Sequence, residues 1–213
     1  TNVAAESANY PFTTIEPNIA VVDVPDERLI KLHKLVGSKK NTPILLKFVD
    51  IAGLVKGASK GEGLGNKFLA SIREVDAIVH VLRCFEGNVA HILETVDPTR
   101  DLEIVNQELM ISDLQVLEKR LIKLGKAKKG GNRIAIKEFE IANKISGLLN
   151  ENKEINLRED FNINDLDIIK QLNLISTKPT LYVLNYGNES INREKINLLK
   201  ETIKDKGSEH IEI

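Results

Sequence analysis

Apolar residues occur along this chain in short runs of strand length that end at polar or charged positions. Four such runs cover residues 19–24, 44–50, 77–83 and 180–185, and leucines and isoleucines at helical spacing lie between them. This alternation predicts an α/β fold, a three-layer sandwich with a mostly parallel sheet between helices. Only a short helix fits between the first two strands. We therefore expect those two strands to pair antiparallel at one side of the sheet.

The middle of the chain has a different periodicity, which predicts two long helices. One apolar seam consists of Met110, Leu114, Leu117, Leu121 and Leu124, and a second consists of Ile134, Ile141, Ile145 and Leu148. Seams of this spacing, joined by a short Gly/Lys turn, predict an antiparallel helical hairpin that packs on itself. We divide the chain into residues 1–103 and 160–213, which form the sheet domain, and residues 104–159, which form the helical insertion.

The third strand, residues 77–83, is apolar almost throughout. Such a run predicts a central strand that is covered on both faces. His80 lies within it, and a histidine there is typical of a hydrogen-bonded core residue and not of a ligand.

Charge and cysteine content limit the classes of function. Thirty basic residues balance 31 acidic ones, for a formal charge of −1, so the net charge gives no reason to expect binding to nucleic acid or to an anionic membrane. The single cysteine, Cys84, excludes an intrachain disulfide. No apolar run approaches the roughly 18 residues of a membrane span. We expect a cytoplasmic monomer.

The second strand ends in a carboxylate that is followed by a glycine-rich loop. Asp50 closes the strand, Gly53 follows three residues later, and further glycines occupy positions 57, 61, 63 and 65. Ligands of α/β sheets bind beyond the carboxyl ends of the strands, where Asp50 is expected. In nucleotide hydrolases such an Asp holds Mg²⁺ and the Gly offers its N–H to the terminal phosphate. The bare Asp-x-x-Gly string also fits an ordinary strand-to-turn junction.

Two longer strings decide between these interpretations. Tyr10-Pro-Phe-Thr-Thr-Ile-Glu-Pro-Asn18 and Asp50-Ile-Ala-Gly-Leu-Val-Lys-Gly-Ala-Ser-Lys-Gly-Glu-Gly-Leu-Gly-Asn66 resemble the Obg-like P-loop NTPases, and most closely their YchF branch. The resemblance extends from Thr1 to about Tyr186. It implies a P-loop NTPase-type fold with a helical hairpin inserted between two strands. It also implies binding and hydrolysis of ATP as well as GTP, and contact with the ribosome.

The same resemblance assigns the residues around the phosphates. Thr14 and Asp50 are the expected Mg²⁺ ligands, and Gly53 is the expected contact of the terminal phosphate. Thr13 is an alternative to Thr14, and both threonines are otherwise plain turn residues. A Thr that binds the metal only while the terminal phosphate is present makes such a loop sense hydrolysis.

Base recognition is expected at the end of the fourth strand. The family's Asn-Lys-x-Asp string is here Asn185-Tyr186-Gly187-Asn188, so the carboxylate that accepts two hydrogen bonds from guanine is missing. The YchF branch departs from the guanine motif as well, usually with Glu in the last position, and the nearest carboxylate here is one residue late. We therefore expect adenine to be preferred, with the Asn185 amide and the Tyr186 backbone near the base.

The position that usually holds the water-orienting residue does not hold such a residue in this chain. Ras-like enzymes place a water-orienting Gln directly after Asp-x-x-Gly, whereas this chain has Leu54 there, as the YchF branch also has an apolar residue. His91 lies in the loop after the third strand and is our candidate catalytic residue. A surface histidine without a role is the alternative.

The turn of the predicted hairpin is locally basic. It carries Lys126, Lys128, Lys129 and Arg133. These side chains could contact RNA phosphates, although solvated surface lysines without a partner are the plain alternative.

No Gly-x-x-x-x-Gly-Lys-Ser/Thr string, which grips the phosphates, occurs in the 213 residues. In the family it directly precedes the segment that matches Thr1, and a small β-rich TGS domain usually ends the protein. We expect these 213 residues alone to bind nucleotide poorly and to be inactive. A non-enzymatic module that binds RNA or protein is the competing interpretation.

Overall fold

The computed structural model describes residues 18–51, 64–87, 95–187 and 191–213, and it divides the chain into two compact units. The first unit comprises residues 1–53 and the second residues 54–213. Each unit is described separately below.

The first unit is a pair of antiparallel strands connected by one helix. Strand β1 (Asn18–Val24) pairs with β2 (Ile44–Asp50) in a register that sets Asn18 opposite Asp50. Helix α1 (Glu27–Val36) begins because the Asp26 side chain accepts a hydrogen bond from the Arg28 N–H, and it ends at Gly37 in the left-handed conformation. The predicted antiparallel pairing is confirmed, and Asp50 closes its strand as expected. Among the described residues the two strands form a sheet of their own and do not extend the parallel sheet as predicted.

The second unit contains a parallel sheet of three strands. Strand β4 (Thr180–Asn185) lies between β3 (Ile78–Arg83) and β5 (Glu209–Glu212), and both pairings are parallel. Helix α2 (Leu64–Glu74) precedes β3 and helix α7 (Arg193–Asp205) precedes β5. One core joins this sheet to its helices, with members Leu82, Cys84, Leu102, Tyr182, Leu184, Ile191, Ile196, Leu199 and Ile203.

Between β3 and β4 the chain forms two long helices that pack along each other. Helix α3 (Pro98–Lys129) and helix α4 (Arg133–Asn150) are separated by three residues. The Arg120 Nε donates a hydrogen bond of 2.6 Å to Glu138, and the Lys128 ammonium lies 4.7 Å from the Phe139 ring, so the helices run antiparallel. The short helices α5 (Leu157–Asp160) and α6 (Leu166–Leu172) return the chain to the sheet.

The hairpin has a core of its own, as the seams predicted. Leu117 and Ile145 are completely buried in one cluster. The other buried members of that cluster are Leu124, Ala135, Ile141, Ala142, Leu149, Ile169, Leu172 and Leu174. The last three come from α6 and the segment after it, so this return segment covers one side of the hairpin.

Two details of the hairpin differ from the sequence-based prediction. Helix α3 begins at Pro98, where Asp97 caps it through the Arg100 N–H, and its residue Leu102 packs in the core of the sheet. The helix is therefore shared by two cores, because its first turns cover the sheet and its later turns meet α4. Ile134 is 76% exposed and Leu148 is only partly buried. Their neighbours Ala135 and Leu149 fill these seam positions instead.

One face of β3 is exposed among the described residues. Val79 and Val81 are 47% and 56% exposed, whereas Leu82 on the opposite face is buried. The prediction of a strand covered on both faces is not met by the described part of the chain, because the described helices pack on the Leu82 face only.

A buried ion pair joins the hairpin to the sheet domain. The Arg73 guanidinium at the end of α2 donates to the Asp113 carboxylate of α3 at 2.6 Å and to the Ser112 hydroxyl at 2.8 Å. Asp113 also accepts hydrogen bonds from the backbone N–H groups of Ile175 and Ser176. Lys178 donates to the carbonyl of Arg73 in the last turn of α2 and to that of Val75 just beyond it, and so caps that helix.

Candidate nucleotide site

The carboxyl ends of the three parallel strands form one edge of the sheet. Arg83 at the end of β3 lies opposite Asn185 at the end of β4, and Leu184 lies opposite Glu212 of β5. Beyond the strands the pairing continues, since the Cys84 N–H donates to the Asn185 carbonyl at 2.8 Å. This edge is where α/β sheets bind ligands.

The peptide that joins Asn185 to Tyr186 is already used by the sheet. Its carbonyl accepts the Cys84 N–H, and its N–H donates to the Ile213 carbonyl at 2.9 Å. The N–H of this peptide is therefore occupied within the sheet. The next peptide, from Tyr186 to Gly187, makes no backbone hydrogen bond with another described residue.

Phe85, in the loop after β3, packs directly on Gly187, in the loop after β4. A β-carbon built on Gly187 would lie 2.8 Å from the Phe85 Cγ and 2.9 Å from its Cβ. Real β-carbons do not approach other carbons so closely. The aromatic ring of the loop after β3 therefore packs directly on the backbone of the loop after β4.

The Arg83 side chain contacts the loop that contains Phe85. Its guanidinium carbon lies 4.7 Å from the centre of the Phe85 ring, a cation–π arrangement, and its Nε donates to the Phe85 carbonyl at 3.0 Å. A second guanidinium nitrogen donates to the Gly87 carbonyl at 3.2 Å. One side chain thereby fixes the loop at its ring and at two carbonyls.

The Glu212 carboxylate, which belongs to an ion pair, lies near the Tyr186 hydroxyl. Lys200 of α7 forms an ion pair of 2.6 Å with Glu212, and the proximity of Lys200 lowers the pKa of that carboxyl. Burial, together with the negative charge of Glu212, raises the pKa of Tyr186 to about 12. Tyr186 therefore stays neutral. The family motif has a lysine at this position, and the Tyr186 side chain does not supply the positive charge of that lysine.

Two reactive side chains near the edge are unsuited to catalysis. The Cys84 thiol is fully buried, and burial raises its pKa to about 11, so it is not a thiolate near neutral pH. Burial lowers the pKa of His80 to about 4, and its ring lies 5.6 Å from that of Tyr182 within the sheet. His80 is a core residue, as predicted.

The remaining predicted site residues are distributed as follows. Asp50 is exposed at the end of β2 in the first unit, and its carboxylate is the kind of oxygen ligand that Mg²⁺ takes. Thr14, Gly53, His91 and Asn188 lie outside the described residues. Within the described ranges no group of three or more His, Cys, Asp or Glu side chains could hold a metal ion.

The basic turn of the hairpin lies at its far end, away from the return segment. Lys126, Lys128, Lys129 and Arg133 are all exposed. The Lys128 ammonium also contacts the Phe139 ring. In the part of the chain that the structure describes, no helix is long and apolar enough to cross a membrane.

The sequence model of one protein family, described as 50S ribosome-binding GTPase, matches residues 1–122. This match includes the Asp50 motif, β3 and the first part of α3. The chain belongs to this family. The fold described above is that of a P-loop NTPase domain.

Similar proteins place the chain in the YchF branch of the Obg-like P-loop NTPases. It is 47% identical over 192 residues to the ribosome-binding ATPase YchF of Bacillus subtilis, which covers 90% of this chain and 52% of that protein. The Escherichia coli O157:H7 protein of the same name is 41% identical, with 98% and 58% covered. The solved YchF GTPase of Schizosaccharomyces pombe superposes with a TM-score of 0.73 at 36% identity, covering 97% of this chain and 57% of that one. The chain thus spans about half the length of these relatives.

Sequence patterns did not reveal Arg83, Phe85 and Gly187 as residues of this edge. The available signals were a cation that closes an apolar strand and a glycine directly after the strand-end Asn-Tyr pair. Neither signal identifies its partner, because the contact joins positions about 100 residues apart.

Proposed function

We propose that this chain provides most of the nucleotide-binding domain of a protein that binds and hydrolyses ATP, and also GTP, and that contacts the ribosome. Residues 1–103 and 160–213 form the nucleotide-binding part in this proposal, and residues 104–159 form the helical insertion. Support comes from the family, from the relatives named as ribosome-binding ATPases, and from the strand-end groups at the sheet edge. The protein acts as a monomer.

The observation that carries adenine preference is the hydrogen-bonding pattern at the end of β4. The Tyr186 carbonyl at this strand end is an acceptor for the amino group of adenine, and that hydrogen bond needs no carboxylate. Asn185 adds an amide from the same strand end. Guanine presents two neighbouring N–H groups that a carboxylate can accept together. Position 188, where a guanine-specific enzyme has Asp, is Asn in this chain. The domain therefore accepts adenine without a carboxylate clamp.

At the phosphate end, the proposal assigns Thr14 and Asp50 to Mg²⁺ and Gly53 to the terminal phosphate. When bound, Mg²⁺ neutralises charge on the phosphate oxygens. Asp50 supplies an anionic oxygen ligand from the end of β2. His91 orients the attacking water in place of the Gln that Leu54 replaces, because imidazole can accept a hydrogen bond from water and leucine cannot.

The hairpin tip supplies the ribosome contact in this proposal. Lys126, Lys128, Lys129 and Arg133 form an exposed cluster of positive charge at the end of a rigid pair of helices. Such clusters bind RNA mainly through phosphates. The whole chain has a formal charge of −1, so this local charge is what would favour RNA.

The test uses the full-length protein. Hydrolysis of ATP and GTP is measured with and without Mg²⁺, for the wild type, Asp50→Asn, His91→Ala and the control Asp23→Asn on neighbouring β1. We expect Mg²⁺-dependent hydrolysis with ATP at least as good as GTP. The Asp50 and His91 variants should lose at least about tenfold in kcat, and the control should keep it. Ribosome binding that persists in a protein without nucleotide binding would favour the non-enzymatic alternative.

A second measurement uses the 213 residues alone. We expect them to bind ATP far more weakly than the full-length protein, because they contain no phosphate-gripping glycine and lysine loop. Equal affinities in a thermal-shift titration would contradict this expectation.

A further inference from the structure

A groove on the helical hairpin is lined by the middle of α3 and the end of α6. The apolar part of its lining consists of Val116, Leu117 and Leu172. Leu117 is completely buried and Leu172 is 7% exposed, because both side chains also belong to the core of the hairpin. Since that core holds the apolar lining in place, a partner meets a groove that is already formed and needs little rearrangement.

The polar part of the lining is positively charged. Lys119, Arg120 and Lys123 of α3 line the groove together with Gln171 of α6, and none of the lining residues is acidic. All four of these residues are exposed. The groove therefore places three cations around an apolar surface, and a partner that complements it must supply anionic groups.

The two lysines have no acidic neighbour on their own helix. The sequence has no Asp or Glu three or four residues before or after Lys119 or Lys123, which are the positions where a helix brings side chains together. Neither ammonium group forms an ion pair with a described residue. The lysines are also four residues apart, so they repel each other. An acidic partner would relieve this repulsion.

Arg120 is already oriented by a contact within the hairpin. Its Nε donates a hydrogen bond of 2.6 Å to the Glu138 carboxylate of α4. The side chain therefore loses less conformational freedom when a partner binds, and its guanidinium has further N–H groups for a second carboxylate. Because Glu138 is one acid beside three cations, the groove keeps an excess of positive charge.

The size and chemistry of the groove favour a segment of a protein as its occupant. Its volume is about 230 Å³, which is below the roughly 300–1,000 Å³ of typical small-molecule sites. A space of this size suits an anchoring side chain of a protein partner. A nucleic acid would meet the cations through its phosphates, but its backbone offers nothing apolar to cover Val116 and Leu172.

We propose that this groove binds an acidic segment of a partner protein. An apolar side chain of the segment packs against Val116, Leu117 and Leu172, and neighbouring carboxylates pair with the cations of α3. The site is distinct from the basic turn of the hairpin, which we assign to RNA. Binding at the groove needs neither nucleotide nor RNA, so its test is independent of the proposed function.

The test measures the fluorescence polarisation of a labelled peptide in the presence of the full-length protein. In this peptide each leucine is flanked by glutamates, and a second peptide has serine in place of leucine. We expect the leucine peptide to bind about tenfold more tightly, because only leucine covers the apolar lining. Equal affinities of the two peptides would overturn the proposal, because the groove would then act through charge alone.

Removal of charge locates the binding site. Lys119→Gln/Lys123→Gln should bind the leucine peptide about fivefold more weakly than wild type, because two exposed charge pairs are lost. Lys129→Gln/Arg133→Gln removes the same charge at the basic turn and should change the affinity by less than about twofold. Equal losses in the two variants would show a general attraction of the peptide to a basic hairpin and would refute binding in the groove.

Gln171 allows a test in both directions, because it lines the groove and is exposed. Gln171→Glu should weaken binding of the leucine peptide by about threefold, and Gln171→Lys should strengthen it by a similar factor. Gln107→Glu and Gln107→Lys, at an exposed position of α3 outside the lining, are the matched controls and should leave the affinity unchanged. Shifts in the same direction for both Gln171 variants would contradict the proposal.

RNA is the alternative occupant of the groove. We expect an RNA duplex to leave the leucine peptide bound at moderate salt, and Lys119→Gln/Lys123→Gln to keep at least about half of the wild-type affinity for the duplex. A duplex that displaces the peptide, and that loses as much affinity in this variant as the peptide does, would make the groove part of an RNA-binding surface. That result would overturn the assignment to a protein partner.

Discussion

Arg73 and Asp113 are 40 residues apart in sequence and form an ion pair of 2.6 Å in which the Asp113 side chain is completely buried. The carboxylate also accepts three hydrogen bonds from Ile175 and Ser176, at 2.7–3.0 Å. A buried carboxylate needs such partners, because an unpaired charge in the interior is costly. Asp113 therefore joins α2, α3 and the segment before β4 at one point.

Replacing Asp113 with Asn should lower the free energy of unfolding by about 3–5 kcal/mol, because Arg73 keeps its charge and loses its partner. Urea unfolding measures the change, with Glu118→Gln, an exposed residue of the same helix, as the control. The double variant Arg73→Met/Asp113→Leu should not recover wild-type stability. The N–H groups of Ile175 and Ser176 would still lack their acceptor, and full recovery would show that the ion pair alone matters.

The hairpin core offers a second comparison. Leu117→Ala should cost about 2–5 kcal/mol in unfolding free energy, because it removes a fully buried side chain and leaves a cavity. Ile134→Ala should change stability by less than about 0.5 kcal/mol, because Ile134 is 76% exposed. A large loss of stability in Ile134→Ala would show instead that Ile134 packs in the seam, as its position in the sequence predicts.

Acidification should destabilise the protein through His80. Its pKa is lowered in the folded chain from 6.5 to about 4, so between these values the unfolded chain binds a proton that the folded chain does not. Stability is therefore complete above about pH 6.5 and falls as the pH drops toward 4, by about 3 kcal/mol. Unfolding free energies of wild type and His80→Leu from pH 7 to pH 4 measure this, and parallel curves would exclude the effect.

Nucleotide choice should respond to position 188. Asn188→Asp restores the carboxylate that accepts two guanine N–H groups, and we expect the ratio of ATP to GTP affinity to shift toward GTP by about tenfold. Competition between labelled ATP and unlabelled GTP on the full-length protein provides the ratio. Asn192→Asp adds the same charge at the cap of α7, where Asp caps as well as Asn, and should leave the ratio unchanged. An unaffected ratio in the Asn188 variant would place base selection elsewhere.

RNA binding should depend on the hairpin tip. Changing Lys126, Lys128 and Lys129 to Gln should weaken binding of the full-length protein to an RNA duplex by about tenfold at moderate salt and make the affinity less salt-dependent. Changing the exposed lysines Lys34, Lys170 and Lys204 to Gln removes the same charge elsewhere. Equal losses in the two triple variants would show a general charge effect and no site. Co-sedimentation with ribosomes should rank the variants in the same order.

The elements of this fold were predictable because hydrophobic periodicity is local. The ends of β2 and β4, the antiparallel pairing of β1 with β2, and the seam through Leu117 and Ile145 all follow from spacing within a few turns or residues. The YchF resemblance was carried by two short strings, and the similar YchF proteins confirm it.

The contacts that the sequence did not predict are long-range or depend on crowding. Nothing around Asp113 indicates that Arg73 is its partner, and nothing around Gly187 indicates Phe85. Ile134 and Ala135 compete for one seam position, and the small residue fills it because the turn brings the helices close there. The Tyr186 N–H is unavailable to a base because Ile213, the last residue of the chain, accepts it.

Helix α3 contains 32 residues without interruption, which is about 48 Å of rigid rod at 1.5 Å per residue. Its base is fixed in the sheet core at Leu102 and tied to α2 through Asp113, while its far end carries the basic turn. A small rotation of this helix near the sheet therefore produces a larger displacement at its far end. A tilt of about 5° at Leu102 moves Lys129, about 40 Å away along the axis, by roughly 3–4 Å, which is enough to make or break a contact with a phosphate.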